Sequence, residues 1–206
     1  MATRLSKEFY ARDTVDVARE LLGKRLVHLL PDGTRLSGRI VETEAYLGVE
    51  DPAAHVFGGR RTPRVEPMYG EPGMSYIYFI YGVYFCFNVS TMAKDVPEAV
   101  LIRALEPTEG IAVMRAQKPD SPVEFLANGP GKLCNALQLT RAQNALDMTT
   151  SPELWIENDG TITDVALVDG PRVGIGDRHD AVHWPLRFGV RSHPSLSSPK
   201  FPNYHE

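Results

Sequence analysis

At 206 residues with 43% hydrophobic content and a net charge of −4, the chain can bury the core of one compact domain, and its acidity taken alone argues against a general nucleic-acid binder. Its two cysteines, Cys86 and Cys134, sit in apolar surroundings and read as buried free thiols in a reducing, cytoplasmic-type compartment. Residues 1–13 lack the apolar stretch of a secretory signal, and no run is long enough to cross a bilayer.

Residues 13–23 carry a helical signature, with Asp13 as cap, Val15, Ala18, Leu21 and Leu22 on one apolar face, and Gly23 as a stop. Residues 26–30 and 35–46 read as two hairpin arms around Pro31-Asp32-Gly33. The second arm ends in Val41-Glu42-Thr43-Glu44-Ala45-Tyr46, which spends two carboxylates where a strand should be hydrophobic. In a strand Glu42, Glu44 and Tyr46 share one face, and residues two apart lie roughly 6.6 Å apart along it. That is near the separation glycosyl-bond hydrolysis uses around a water. A solvent-facing acidic stripe on an edge strand fits the same six residues.

Residues 47–75 are rich in Gly, Pro, Arg and Glu without a period, which predicts a long loop that is either functional or disordered. His55 lies there, close in sequence to Asp51, but the spacing matches no common zinc pattern. It reads as a ligand-contacting or capping imidazole. Arginines crowd at Arg60, Arg61 and Arg64, and again at Arg172, Arg178, Arg187 and Arg191, leaving a local positive face open on an acidic chain.

Residues 76–89 are aromatic and β-branched, split at Gly82. A regular strand puts Tyr76, Tyr78 and Ile80 on one face and Tyr81 on the other, beside a glycine that permits a turn. Four tyrosines in nine residues suit stacking on a flat, polar-edged ligand. A tyrosine at a glycine-marked bend suits a wedge between stacked bases. Residues 99–106 read as a buried strand carrying Arg103, which there needs a carboxylate partner, Glu44 or Glu106. Asn88 is a second polar residue in an apolar strand. A short helix over 108–116 is predicted with Thr108 as cap. Asn128-Gly129-Pro130-Gly131-Lys132 opens another over 133–139, where N–H groups and Lys132 either hold a phosphate or simply begin a helix. Strand-like pieces follow at 154–157 and 164–167, then segments at 171–176 and 186–191. The tail, 192–206, is rich in Ser, Pro and His and is expected to be mobile or draped over the surface.

Read together, these residues resemble the alkyladenine DNA glycosylase family, the 3-methyladenine DNA glycosylases of mammalian type. The likeness is carried by Gly38-Arg39-Ile40 running into Glu42-Thr43-Glu44-Ala45-Tyr46-Leu47-Gly48, by Ala53-Ala54-His55, Gly58-Gly59-Arg60 and Thr62-Pro63-Arg64, and by residues 76–88. It continues through Arg103-Ala104-Leu105-Glu106-Pro107, Lys132-Leu133-Cys134, Arg172-Val173-Gly174 and Pro185-Leu186-Arg187-Phe188, spanning about residues 5–191 in order.

The resemblance implies an α+β fold: a single mixed α/β domain over residues 1–206, around a curved, largely antiparallel β-sheet with a protruding β-hairpin for DNA. It implies Glu44 as the base that activates water against C1′, with Arg103 and the backbone carbonyl of Val173 helping to hold that water. Tyr46, His55 and Tyr78 match the walls around a flipped base. Ala53, His55 and Asn88 match pocket contacts that set lesion preference, Asn88 screening against a guanine amino group. Tyr81 with Gly82 matches the wedge, and Arg60 and Lys132 match contacts to the DNA backbone. The implied partner is double-stranded DNA containing damaged purines, met by a monomer with no metal, no cofactor and no membrane, in a bacterial-type cytoplasm and at the nucleoid while acting.

No lysine stands among the residues at the reacting centre, which predicts a monofunctional enzyme that leaves an abasic site in base excision repair. Val83 stands where relatives often carry a bulkier methionine, and the 92–98 loop is longer and more acidic than the pattern. Two other classes remain open on sequence: a protein that shields lesions without cutting, and a metal-dependent hydrolase built on His55 and the neighbouring acids.

Overall fold

The computed structural model describes residues 2–159, 166–178 and 180–201. Its frame is one nine-stranded sheet in which every strand pairing is antiparallel. The strands are β1 (Thr3–Arg4), β2 (Arg25–Leu29), β3 (Arg35–Tyr46), β4 (Ser75–Ile80), β5 (Tyr84–Ser90), β6 (Ala99–Glu109), β7 (Leu154–Asn158), β8 (Leu167–Gly170) and β9 (Arg187–Val190). The main path runs β1-β7-β2-β3-β6-β5-β4, and β9 joins β3 to β8. A few short helices accompany it: α1 (Lys7–Tyr10), α2 (Thr14–Glu20), α3 (Ile111–Ala116) and α4 (Pro130–Ala136). The α+β reading holds.

The hairpin arms read at 26–30 and 35–46 are β2 and β3, closed by the Asp32-Gly33 turn, where the Thr34 N–H donates to Asp32 Oδ1 at 2.8 Å. β3 is not an edge. It pairs with β2, β6 and β9, and Glu42, Thr43 and Glu44 are fully buried. That removes the solvent-facing stripe. Register shifts fall between Ile40 and Glu42 and between Glu42 and Thr43 against β6. Bulges of this kind bend a strand and re-aim its side chains. Helix α2 starts where Asp13 predicted, with its carboxylate accepting from Val15 and Asp16 N–H at 2.9 and 3.1 Å. It packs on the other face of β3, where Thr43 Oγ1 donates to the Ala18 carbonyl at 2.8 Å.

Two expectations are corrected. The helix predicted to be capped by Thr108 begins later, because β6 continues to Glu109 beside Ser37. The helix cap is Gly110, at φ 72, and a Cβ there would run into Leu36 Cδ2. The helix placed at 133–139 starts earlier, with Pro130 at its first position, and ends at Ala136. Of the strand-like pieces, 154–157 lies within β7, whereas the first two residues of 164–167, Asp164 and Val165, lie outside the described residues. β8 begins at Leu167.

The long 47–75 segment contains three 3-10 turns and is held by its own apolar cluster. Ala54, Val56, Val65, Met68 and Tyr69 pack with Tyr76 and Ala99, and Tyr46 and Tyr78 lie against them. The Ser- and Pro-rich terminal segment also packs: Leu196 and Phe201 are buried with Val168, and Ser195 and Ser197 are buried beside them. Through Phe201 it is part of the body and not a drape; residues 202–206 lie outside the described residues.

Candidate active site

The centre of the site is the carboxylate pair on β3. Arg103, on the neighbouring β6, reaches both acids: Nε donates to Glu42 Oε1 at 2.9 Å, and Nη1 lies 3.1 Å from Glu44 Oε1. The partner of Arg103 is therefore Glu44 together with Glu42, and not Glu106. A second guanidinium, Arg187 Nε from β9, donates to Glu42 Oε1 at 2.7 Å. Two anions and two cations balance in a space closed to solvent. Burial pushes the Glu42 carboxyl up, and Arg103 and Arg187, with the Ser197 hydrogen bonds, outweigh it and hold it below the usual range.

Glu44 is addressed on both oxygens. Oε1 accepts the Val173 N–H at 2.8 Å as well as Arg103, and Oε2 accepts the Tyr46 hydroxyl at 2.8 Å. The contact that Val173 makes here runs through its N–H. Burial, then the Glu44 carboxylate beside it, lifts the Tyr46 phenol well above its ordinary value, so it stays protonated and donates.

A salt bridge spanning 121 residues sets this geometry. Arg172 Nη2 donates to Asp51 Oδ1 at 2.8 Å and Nη1 to the Ala45 carbonyl at 3.0 Å, both partners buried. Asp51 also accepts from the N–H groups of Leu47 and Ala53 at 3.0 and 2.9 Å. The bridge thus ties the loop that carries Ala53 and His55 to the one that carries Val173. The Arg172 guanidinium lies 4.7 Å over the Tyr46 ring.

In front of Tyr46 opens a cavity of about 190 Å³. That is room for on the order of six waters, the scale of one small planar molecule. Tyr46, Ala53, His55, Tyr78 and Asn88 all line it, so all five residues expected in a pocket are brought together. Glu44 does not line it and stands behind Tyr46. Asn88 Nδ2 donates to the Tyr76 carbonyl at 3.0 Å, which leaves its side-chain oxygen as an acceptor. His55 Nδ1 is 2.9 Å from the Tyr76 hydroxyl, and its ring stands edge-on to Tyr78 with centroids 4.6 Å apart. His55 keeps an exposed face; the protein packed around the rest of its ring, then Arg64, Arg178 and Arg60, lowers its pKa to about 4, so the imidazole is neutral at pH 7. Gly174, Ile175 and Arg178 complete the far wall.

The remaining expected residues stand apart from this centre. Tyr81 and Gly82 form the tip of the β4–β5 hairpin, at φ 54 and 69, and the Val83 N–H closes the turn on the Ile80 carbonyl at 3.2 Å. Two successive left-handed residues mark a type I′ turn. Tyr81 is 79% exposed, which is unusual for so large a ring. Arg60 is exposed on the loop beyond His55. Lys132 lies on α4, with Nζ donating to Asn128 Oδ1 at 2.7 Å, away from the cavity.

Sequence reasoning missed Asp51 as a structural anchor, Arg172 and Arg187 as partners of buried acids, and Ser197. Crowding of arginines in an apolar stretch was the available signal for two of them. Among the described residues no three of His, Cys, Asp and Glu converge to hold a metal ion, and no helix is long and apolar enough to cross a membrane.

Comparison with known proteins points the same way. The family model described as Methylpurine-DNA glycosylase (MPG) matches residues 8–194. A protein of Clostridium acetobutylicum is 46% identical over 202 residues, covering 94% of this chain and 97% of its own. One from Desulfitobacterium hafniense is 48% identical over 193 residues, covering 90% and 94% respectively. One from Bacillus cytotoxicus is 46% identical over 198 residues, covering 92% and 97%. Each is named "Putative 3-methyladenine DNA glycosylase". These relatives are bacterial, so the likeness is to the family at large and the mammalian-type qualifier is dropped.

Proposed function

The chain belongs to the methylpurine-DNA glycosylase family, hydrolases of N-glycosyl bonds in damaged DNA, and from that premise we propose that it flips alkylated or deaminated purines out of duplex DNA and removes them with an activated water. The class of lesion is that of 3-methyladenine, hypoxanthine and ethenoadenine. The observation that carries the reading is the unequal loading of Glu44. Each carboxylate oxygen offers two lone pairs. Oε1 is filled by Arg103 and Val173 N–H, whereas among the described residues Oε2 accepts only from Tyr46. One acceptor site is left on the oxygen that faces the cavity wall.

A water held there would give its proton to Glu44 as its oxygen forms the bond to C1′. The C1′–N bond breaks with its electron pair on the departing purine. Positive charge on the sugar in the oxocarbenium-like state is met by the same carboxylate. Alkylated purines that carry positive charge stack favourably on the Tyr46 and Tyr78 faces. Neutral His55 offers its second ring nitrogen to the base edge, and Asn88 its amide oxygen. Tyr81 supports the flipping step, since an exposed ring on a tight turn can fill the gap the base leaves, at a flipping cost of a few kcal/mol that is least for damaged pairs. With no lysine at the centre, the product is an intact strand with an abasic site.

The test is a duplex carrying one hypoxanthine or one ethenoadenine, incubated with the protein and then treated with alkali. Strand breaks at the lesion only after alkali support monofunctional excision. Breaks before alkali, or binding of either duplex without breaks after it, would overturn the reading.

A further inference from the structure

The buried acid that the proposed chemistry leaves idle, Glu42, is bonded on both of its oxygens. Its Oε1 accepts from Arg103 Nε at 2.9 Å, Arg187 Nε at 2.7 Å and Ser197 Oγ at 2.8 Å, and its Oε2 accepts the Ser197 N–H at 2.6 Å. Ser197 does more than fill a lone pair. Its Oγ also accepts from Arg103 Nη2 at 3.2 Å. One hydroxyl therefore bridges the idle acid to the guanidinium that holds Glu44. With Nε on Glu42, Nη2 on Ser197 and Nη1 on Glu44, Arg103 is fixed along its whole edge.

Ser197 belongs to the terminal segment, far from the site in sequence, and that segment has further anchors. The Arg187 Nη2 donates to the Pro199 carbonyl at 2.6 Å, and its guanidinium lies 4.1 Å over the Phe201 ring. Lys200 Nζ donates to the Leu196 carbonyl at 2.8 Å. Leu196 and Phe201 crowd Gly189, on β9 opposite Glu42, where a Cβ would meet Phe201 Cε2 at 2.6 Å. The segment is a strap bolted across the back of the acid pair, and it delivers a hydroxyl and an N–H to one carboxylate.

We propose that Ser197 is a positioning residue for hydrolysis, its hydroxyl joining Glu42 to Arg103 and so setting the guanidinium that orients Glu44. This rests on the reading of Glu44 as the base. Losing the hydroxyl leaves Arg103 Nη2 without its acceptor and frees the guanidinium to tilt. A tilt displaces Glu44 Oε1 while the cavity walls, held by Arg172 and Asp51, stay where they are. The expected signature is a loss in the chemical step without a loss in lesion binding.

Single-turnover excision of ethenoadenine from a duplex, with DNA affinity and thermal stability measured in parallel, tests this in four variants of the full chain. Ser197→Ala is expected to lower the maximal rate on the order of tenfold, as loss of a hydrogen bond to a charged group does, with affinity within about twofold of the parent. Phe201→Ala loosens the same strap and keeps the hydroxyl. It is expected to lower the melting temperature with little change in rate. Should Ser197→Ala not fold, Ser197→Cys keeps the length of the side chain while weakening both bonds, and a several-fold rate loss is expected. A parent-like rate in Ser197→Ala or Ser197→Cys, or rate losses that follow melting temperature equally in the Ser197 and Phe201 variants, would overturn the proposal. Glu44→Gln separates the two readings. If it stays active, the base assignment fails; if it is inactive while the Ser197 variants match the parent, only the role of Ser197 fails.

Discussion

The Tyr46 hydroxyl donates to Glu44 Oε2 at 2.8 Å across two residues of one strand, so the wall of the cavity and the acid behind it form a single hydrogen-bonded unit. Tyr46→Phe separates the two duties of the side chain. The ring remains to stack, so lesion affinity should stay within about twofold. The carboxylate loses the donor that fixes Oε2, and single-turnover excision should slow by roughly tenfold, the weight of a hydrogen bond to a charged group. A rate equal to the parent's would show that Tyr46 acts through its ring alone.

Tyr81 carries a bulky side chain at φ 54 and is largely exposed. Such a backbone conformation costs a non-glycine residue of order 1 kcal/mol. Tyr81→Gly should therefore melt at the same temperature as the parent or slightly above it. Excision from a fully paired duplex should fall at least several-fold, and excision from a single strand should change little, because no gap has to be filled there. Equal losses on both substrates would remove the wedge role.

Arg187 is 2% exposed and pairs with a fully buried Glu42. Arg187→Met leaves Glu42 with one guanidinium and breaks the stack on Phe201. Removing one partner of a buried pair costs about 3–5 kcal/mol, which in a chain of this size lowers the melting temperature by about 10 °C. The double variant Glu42→Gln, Arg187→Met should cost less than the sum of the singles, since it leaves no unpaired carboxylate. Strict additivity in a thermal or urea titration would contradict the pairing.

How much of this was readable in advance depends on whether the determinant is local. β3 and its turn followed from Pro31-Asp32-Gly33 and from alternation, and α2 from the Asp13 cap, because each signal lies within the element it specifies. Asn88 and Arg103 stand out as polar groups in apolar strands, and both are buried with partners. The cap at Thr108 failed because pairing of β6 with β3 overrode a local preference. The Asp51–Arg172 bridge spans 121 residues and the Ser197–Glu42 contact 155. Nothing in the composition of a Ser- and Pro-rich tail announces that one of its serines, Ser197, closes the acid pair.

His55 makes a pH prediction with a definite sign. Its pKa falls from 6.5 to about 4 on folding, through desolvation of the packed side of a ring that stays partly exposed and through the charges of Arg64, Arg178 and Arg60. The unfolded chain therefore binds the proton more readily between those values, and stability rises with pH there. The contribution is fully present above about 6.5 and is lost as pH falls towards 4. Melting curves of the parent and of His55→Asn across that range should show the parent losing ground to the variant as pH drops. A constant difference would mean that His55 titrates normally.

The central claim is that Glu44 activates the water. Its most direct test is single-turnover excision of ethenoadenine by Glu44→Gln, with binding measured on the same duplex. Glutamine keeps the size of the side chain but cannot take the proton. General-base loss predicts a fall of roughly 10²–10⁴-fold in rate with lesion affinity retained. A rate within a few-fold of the parent, with affinity unchanged, would contradict the account.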